Sequence, residues 1–210
     1  MPFKWLAVYF FYLYIFKLNT TMSIEKINIR TWVVLFIIIG FAALRGLSPE
    51  KFGDWANFTP VGAIALFGGV YFKNRMQAFF APLFILFVSD IFINYGYFGE
   101  ITFFYEGFFW VYLSFALIVL LGRSIKNVKP GNIFLTALGS VLIHWIVTDF
   151  GVWLNNPAFA QTPAGFLNCL ALAIPFEKNF FAGTLLYSAV MFGGFELLKS
   201  YVPKLTPIRL

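Results

Sequence analysis

The chain has 210 residues, of which 60% are apolar and 22% aromatic, while only 11% are charged. One water-soluble core could not enclose this much apolar surface, so the composition excludes an ordinary soluble domain and predicts a protein of the lipid bilayer. The net charge of +6 comes largely from Lys and Arg in short loops between apolar runs, where basic residues set topology, so nucleic-acid binding is not expected.

The apolar runs are long and mostly continuous, which favours a helical bundle over a β-barrel, because barrel strands alternate with a period of two. Residues 1–21 hold an apolar segment that is too short to span a bilayer. Either it is an interfacial helix or the functional chain starts at Met22, so we assign 22–210 to a single membrane domain. Six spans are predicted in that domain: 32–44, 60–72, 76–95, 107–121, 132–150 and 180–198.

Two of these segments need comment. The second, 60–72, is short and rich in Gly, and is either a tilted helix buried among the others or a re-entrant segment. A long outer loop, 151–177, is expected before the last span because it contains three prolines and begins with Gly151. Within this loop, 166–174 is apolar enough to dip into the membrane.

Charge in the loops predicts the topology. With six spans, one side of the membrane collects eleven Lys and Arg residues and the other side three. By the positive-inside rule the basic side is cytoplasmic. Both ends of the bundle are then cytoplasmic, and the loops around Asp54, Glu106 and Asn155 face out. We expect a multi-pass protein of the bacterial inner (cytoplasmic) membrane.

Polar side chains inside the predicted spans are the first candidates for function. Asp90 and Asn94 lie four residues apart on one helix face, and His144 and Asp149 lie in the fifth span. A carboxylate in the bilayer is costly, so these groups are expected to face the bundle interior or a wet cavity. The structural alternative is that they cap loops or join helices by hydrogen bonds. A single His without a partner His or Cys does not predict a metal site.

Aromatic residues cluster toward the predicted outer half of the bundle. An interfacial belt explains many of them. The others, together with nearby amides and acids, suit a pocket for a flat, ring-containing or amide-bearing ligand, and no cofactor is predicted. The predicted ligand-binding residues are Trp55, Asn57, Asp90, Asn94, Glu106, Trp110, His144, Asp149 and Trp153.

Small residues mark one face of the second segment. Gly62, Ala65 and Gly69 predict either close helix packing or a docking face for another membrane protein. The sequence has no Walker loop, HExxH or GxSxG motif, so we predict no enzyme, and an ATP-driven step would need another subunit. An enzymatic alternative, with His144 and Asp149 in acid-base roles, requires both to line one cavity.

Four stretches carry a resemblance: NFTPVGAIALFGGVYF (57–72), PLFILFVSD (82–90), VYLSFALIVLLGR (111–123) and TDFGVWL (148–154). They resemble an uncharacterised family of bacterial six-helix membrane proteins, a domain of unknown function. More distantly, the chain is similar to the substrate-binding S components of energy-coupling-factor vitamin transporters. That resemblance implies uptake of a vitamin or cofactor-like molecule, with a cobalamin-like ligand as the first guess, from an outward-facing pocket, and an ATPase-coupled module as a partner. The alternative is a non-catalytic structural or assembly subunit of a larger membrane complex.

Overall fold

The computed structural model describes residues 29–46 and 57–205, and these ranges contain six α-helices and no strand. The all-α prediction is thus confirmed for them. The predicted N-terminal extension, 1–21, and Trp55 lie outside the described residues. The helices are α1 (Ile29–Gly46), α2 (Val61–Tyr71), α3 (Arg75–Phe98), α4 (Phe108–Ser124), α5 (Pro130–Asn155) and α6 (Pro163–Tyr201), followed by a 3-10 turn at Pro203–Leu205.

Several helix ends follow from local sequence. The Asn74 side chain accepts a hydrogen bond from the Met76 backbone N–H at 2.7 Å and so caps the start of α3, and Gly99, with φ 73°, caps its end. The Thr162 side chain caps α6 in the same way. Pro130 and Pro163 occupy first turns, where proline loses no helical hydrogen bond.

The prediction of a long outer loop over 151–177 is wrong. Helix α5 continues through Gly151 to Asn155, and α6 starts at Pro163 and runs through Pro175 without ending. Gly151 serves packing here, because a Cβ on it would overlap the Trp110 ring. The last helix therefore begins 17 residues before the predicted start of 180.

The described surface is apolar, as expected for a protein in contact with lipid. Three helices are long and apolar enough to cross a membrane: Arg75–Gly96, Pro130–Leu154 and Pro163–Tyr201. Phe36 and Phe92 are more than two-thirds exposed, whereas Ser114, Ser140 and Ser188 are fully buried. This inverted distribution of apolar and polar side chains indicates a membrane protein.

Helix α2 lies at the centre of the bundle and contacts α1, α3, α4, α5 and α6. Ten of its eleven residues are buried, including Ala65. A Cβ on Gly62 would overlap the Thr184 hydroxyl of α6, and a Cβ on Gly69 would overlap the Val119 carbonyl oxygen of α4. The small residues of α2 thus allow close contact with helices of the same chain.

Candidate ligand-binding site

A cavity of about 300 Å³ lies where α2 begins. It is enclosed by the segment before α2, the loop before α4, and parts of α4, α5 and α6. Its lining combines two carboxylates, an imidazole, several hydroxyl groups and three phenylalanine rings. The lining residues are Asn57, Thr59, Val61, Tyr105, Val111, Phe115, His144, Thr148, Asp149, Ala173, Phe176, Glu177 and Phe180.

Non-helical backbone forms one wall of the cavity. Asn57 has φ 67°, a left-handed conformation that asparagine tolerates better than most residues. Thr59, two residues later, is buried against α6. Gly183 leaves room there for the Thr59 backbone, since a Cβ on Gly183 would stand 2.8 Å from the Thr59 nitrogen. In membrane proteins, irregular backbone of this kind occurs where protein surrounds it or where it lines a cavity.

The charged groups of the cavity come from α5 and α6. His144 Nδ1 lies 2.9 Å from Glu177 Oε1, and the imidazole stacks on the Phe180 ring with centroids 4.3 Å apart. Asp149 and Glu177 are only 9% and 5% exposed. One oxygen of each, Asp149 Oδ2 and Glu177 Oε2, is buried and has no hydrogen-bond partner among the described residues. A buried polar oxygen without a partner is costly, and a ligand that donates hydrogen bonds removes that cost.

Three of the predicted ligand-binding residues, Asn57, His144 and Asp149, line this cavity. Asp90 and Asn94 do not. The Tyr112 hydroxyl donates to the Asp90 carboxylate at 3.0 Å, and the Asn94 amide donates to the Thr102 carbonyl at 3.2 Å. This pair thus connects α3 to α4 and to the loop between them.

The remaining predicted residues lie elsewhere in the structure. Glu106 is exposed in the loop before α4. Trp110 packs against Phe150 with ring centroids 5.2 Å apart, and the Trp153 indole donates to the Ala160 carbonyl at 2.9 Å. These two tryptophans therefore stabilise the α5–α6 end of the bundle and do not line the cavity.

Sequence reasoning missed Glu177 as a site residue. It was assigned to an outer loop because of Pro175, two residues earlier, so its place in the middle of a long apolar helix went unrecognised. The signal was present in the apolar residues from Phe166 onward, which continue on both sides of the proline. An acid within such a helix is a candidate for function by the argument already applied to Asp149.

The cavity does not form a recognisable metal centre. No group of three His, Cys, Asp or Glu side chains in the described part of the chain is arranged to hold a metal ion. Cys169 is buried, and its sulfur lies 3.7 Å from the Asp149 carbonyl oxygen. His144 and Asp149 do line one cavity, which is the geometry that the enzymatic alternative requires.

Fold and site together define a helical protein of membrane type with an acid-lined cavity at the start of α2. The chain belongs to a family of unknown function, DUF6580, which it matches over residues 25–205. This confirms the expected membership in an uncharacterised family. Neither a curated protein nor a solved structure matches the chain.

Proposed function

We propose that this protein is a membrane uptake protein that binds a small vitamin- or cofactor-like molecule in the cavity at the start of α2. The observation that carries the proposal is the pair of buried carboxylates, Asp149 and Glu177, each with an oxygen that has no hydrogen-bond partner among the described residues. Apolar walls with a few convergent polar groups are the usual composition of small-molecule sites.

The volume of the cavity limits the size of the ligand that it can hold. Small-molecule pockets commonly have volumes of about 300–1,000 Å³, and this cavity, at about 300 Å³, lies at the lower end. A corrinoid is much larger than such a space. We therefore propose a small vitamin-like molecule in place of the cobalamin-like ligand that was the first guess.

We further propose six crossings of the bacterial cytoplasmic membrane with both ends inside. The supporting observations are the uneven distribution of Lys and Arg between the loops and the three long apolar helices. The turn between α2 and α3, with Lys73, would then be cytoplasmic, and the loop before α4, with Glu106, would be outside.

Cysteine labelling tests this topology. In a Cys169→Ser background, a membrane-impermeant maleimide is expected to label Glu106→Cys in intact spheroplasts. Lys73→Cys is expected to react only after the membrane is permeabilised. Both positions are exposed, so accessibility within the protein does not limit the reaction. Labelling of Lys73→Cys in intact spheroplasts would contradict the proposed orientation.

The binding function is tested by thermal unfolding of the detergent-solubilised protein with a panel of vitamins and their precursors. A ligand at 100 times its dissociation constant contributes about 2.7 kcal/mol, which corresponds to a rise in Tm of about 5–10 °C for a chain of this size. We expect at least one compound to produce such a shift. Ala173→Phe, which places a ring in the cavity, is expected to abolish it.

Ala182→Phe is the matched control, because Ala182 is exposed on the same helix and does not line the cavity. It should keep the full ligand-induced shift. If no compound stabilises the wild type, or if Ala173→Phe and Ala182→Phe respond alike, the proposed function is wrong.

The packing of α2 removes one observation that supported the alternative function, a structural or assembly subunit. Gly62 and Gly69 contact α6 and α4 of the same chain, and Ala65 is 1% exposed. This face is therefore occupied by intramolecular packing and is not available to a partner protein.

A further inference from the structure

We infer that the molecule bound in this cavity is an organic cation, such as an amine or a protonated nitrogen heterocycle attached to an apolar or aromatic body. The inference rests on the proposed function and names its substrate class. It is based on Asp149 and Glu177, two cavity-lining acids whose oxygens Oδ2 and Oε2 are buried and accept no hydrogen bond from the described residues. An ammonium group supplies several N–H donors and can satisfy both oxygens.

The balance of charge in the lining favours a cation over an anion. Two carboxylates line the cavity and His144 is the one basic side chain there, since within the described ranges no Lys or Arg contributes to the lining. Lys178 is next to Glu177 in sequence but is exposed. The imidazole can balance one carboxylate, the one it contacts at 2.9 Å. Because His144 also acts electrostatically on Asp149, this one imidazole serves two carboxylates among the described residues.

The N-terminus of α2 also reaches the cavity, at Val61. Its partial positive charge, equivalent to about half an elementary charge, weakens the negative potential but does not cancel a full carboxylate. A ligand carboxylate would have to approach both Asp149 and Glu177, and like charges at close range in a low dielectric repel strongly. A bound anion is therefore disfavoured by the same groups that attract a cation.

The apolar part of the lining suits the rest of such a molecule. Phe115, Phe176 and Phe180 contribute their rings to the wall. The face of an aromatic ring attracts a cation, more strongly when water is excluded. The same rings offer stacking area for a flat body, while the two acids at one side fix the position of the charged nitrogen.

The test uses three probes that share a phenyl ring and differ in charge: phenethylamine as the cation, N-acetylphenethylamine as the neutral molecule and 3-phenylpropanoate as the anion. Calorimetric binding to the full-length protein in detergent is expected to be at least tenfold tighter for phenethylamine than for either other probe. Asp149→Asn and Glu177→Gln should each weaken phenethylamine binding at least tenfold. Glu100→Gln, which removes an exposed acid outside the lining, should leave it unchanged.

Asn and Gln keep the shape of the acids they replace, and a monodisperse gel-filtration profile identifies the variants that fold. If one of the two does not fold, the other decides. Equal or tighter binding of the neutral or anionic probe, no binding of phenethylamine, or binding that both variants leave unchanged overturns the cation inference. The proposed function is tested separately, by the vitamin panel and the Ala173→Phe variant. A stabilising vitamin that is an anion would support the function and overturn the charge assignment.

Discussion

Replacing Gly122 with leucine is expected to abolish the folded protein. Gly122 of α4 lies directly against α2, and a Cβ there would stand 2.5 Å from the Leu66 carbonyl oxygen and 3.1 Å from the Leu66 Cα. These neighbours are helix backbone, which cannot move aside as a side chain can. Any side chain at position 122 therefore has to push α4 away from the buried central helix.

The alanine variant gives a measurable version of the same effect. Gly122→Ala is expected to lower the free energy of unfolding by about 1–3 kcal/mol or more, the usual cost of overpacking. This loss comes despite the gain of up to about 1 kcal/mol that alanine brings over glycine inside a helix. Unfolding in SDS, followed by circular dichroism, measures the difference.

Gly193 provides the control, because it is also a helical glycine, but among the described residues nothing beyond its own stretch of helix lies within 4 Å of its Cβ position. Gly193→Ala should be neutral or slightly stabilising, and Gly193→Leu should still give folded protein. If Gly122→Leu folds as well as Gly193→Leu, the close contact between α2 and α4 is not required, and the account of the bundle centre is wrong.

Glu177→Leu is expected to lower the free energy of unfolding by about 1–3 kcal/mol, the typical cost of leaving a buried polar group without its hydrogen-bond partner. His144 would lose its contact with Glu177 Oε1, made at 2.9 Å, while remaining stacked on Phe180. The double variant Glu177→Leu with His144→Phe should recover most of this loss. An apolar pair leaves no polar group without a partner, and phenylalanine preserves the stacking.

A double-mutant cycle in SDS unfolding measures the coupling, with Glu100→Gln as an exposed acid whose replacement should change the stability by less than about 0.5 kcal/mol. Two results would contradict the account of the pair. One is Glu177→Leu as stable as the wild type, and the other is a double variant whose loss equals the sum of the two single losses.

The sequence predicts a helix wherever a continuous apolar run agrees with the signals that start or end a helix. Helix α3 has a capping residue at Asn74 and a glycine stop at Gly99, and α5 has Pro130 in its first turn. The predicted segments 76–95 and 132–150 lie within the helices Arg75–Phe98 and Pro130–Asn155, but the second helix ends five residues later than predicted. The sequence allows either a buried helix or a re-entrant segment at 60–72, and the structure has a buried helix, Val61–Tyr71.

Breaker residues misled the prediction where their usual meaning does not hold. Pro175 and Gly151 suggested a loop, but a long apolar helix tolerates proline because neighbouring groups and local adjustments can satisfy the freed carbonyl. At Gly151 the absence of a side chain makes room for Trp110. Because of this error, the prediction assigned Glu177 to an outer loop and did not include it among the ligand-binding residues.

Spacing along one helix reveals which residues share a face but not what they meet. Asp90 and Asn94 do share a face, yet their partners, Tyr112 and the Thr102 carbonyl, come from later segments of the chain. Asp149 and His144 were selected by the same reasoning and do line the cavity. Tertiary packing decides that Asp149 and His144 line the cavity and that Asp90 does not. A single sequence does not reveal this packing.

We propose that the cavity lined by Asp149 and Glu177 holds a small molecule, and both the function and the ligand class depend on this. The most direct test is a high-resolution experimental structure of the protein in lipid nanodiscs, determined with the best-stabilising compound of the vitamin panel. We expect density for that compound between the two carboxylates and the rings of Phe115 and Phe180. A cavity closed by side chains, or the compound bound elsewhere on the protein, would contradict it.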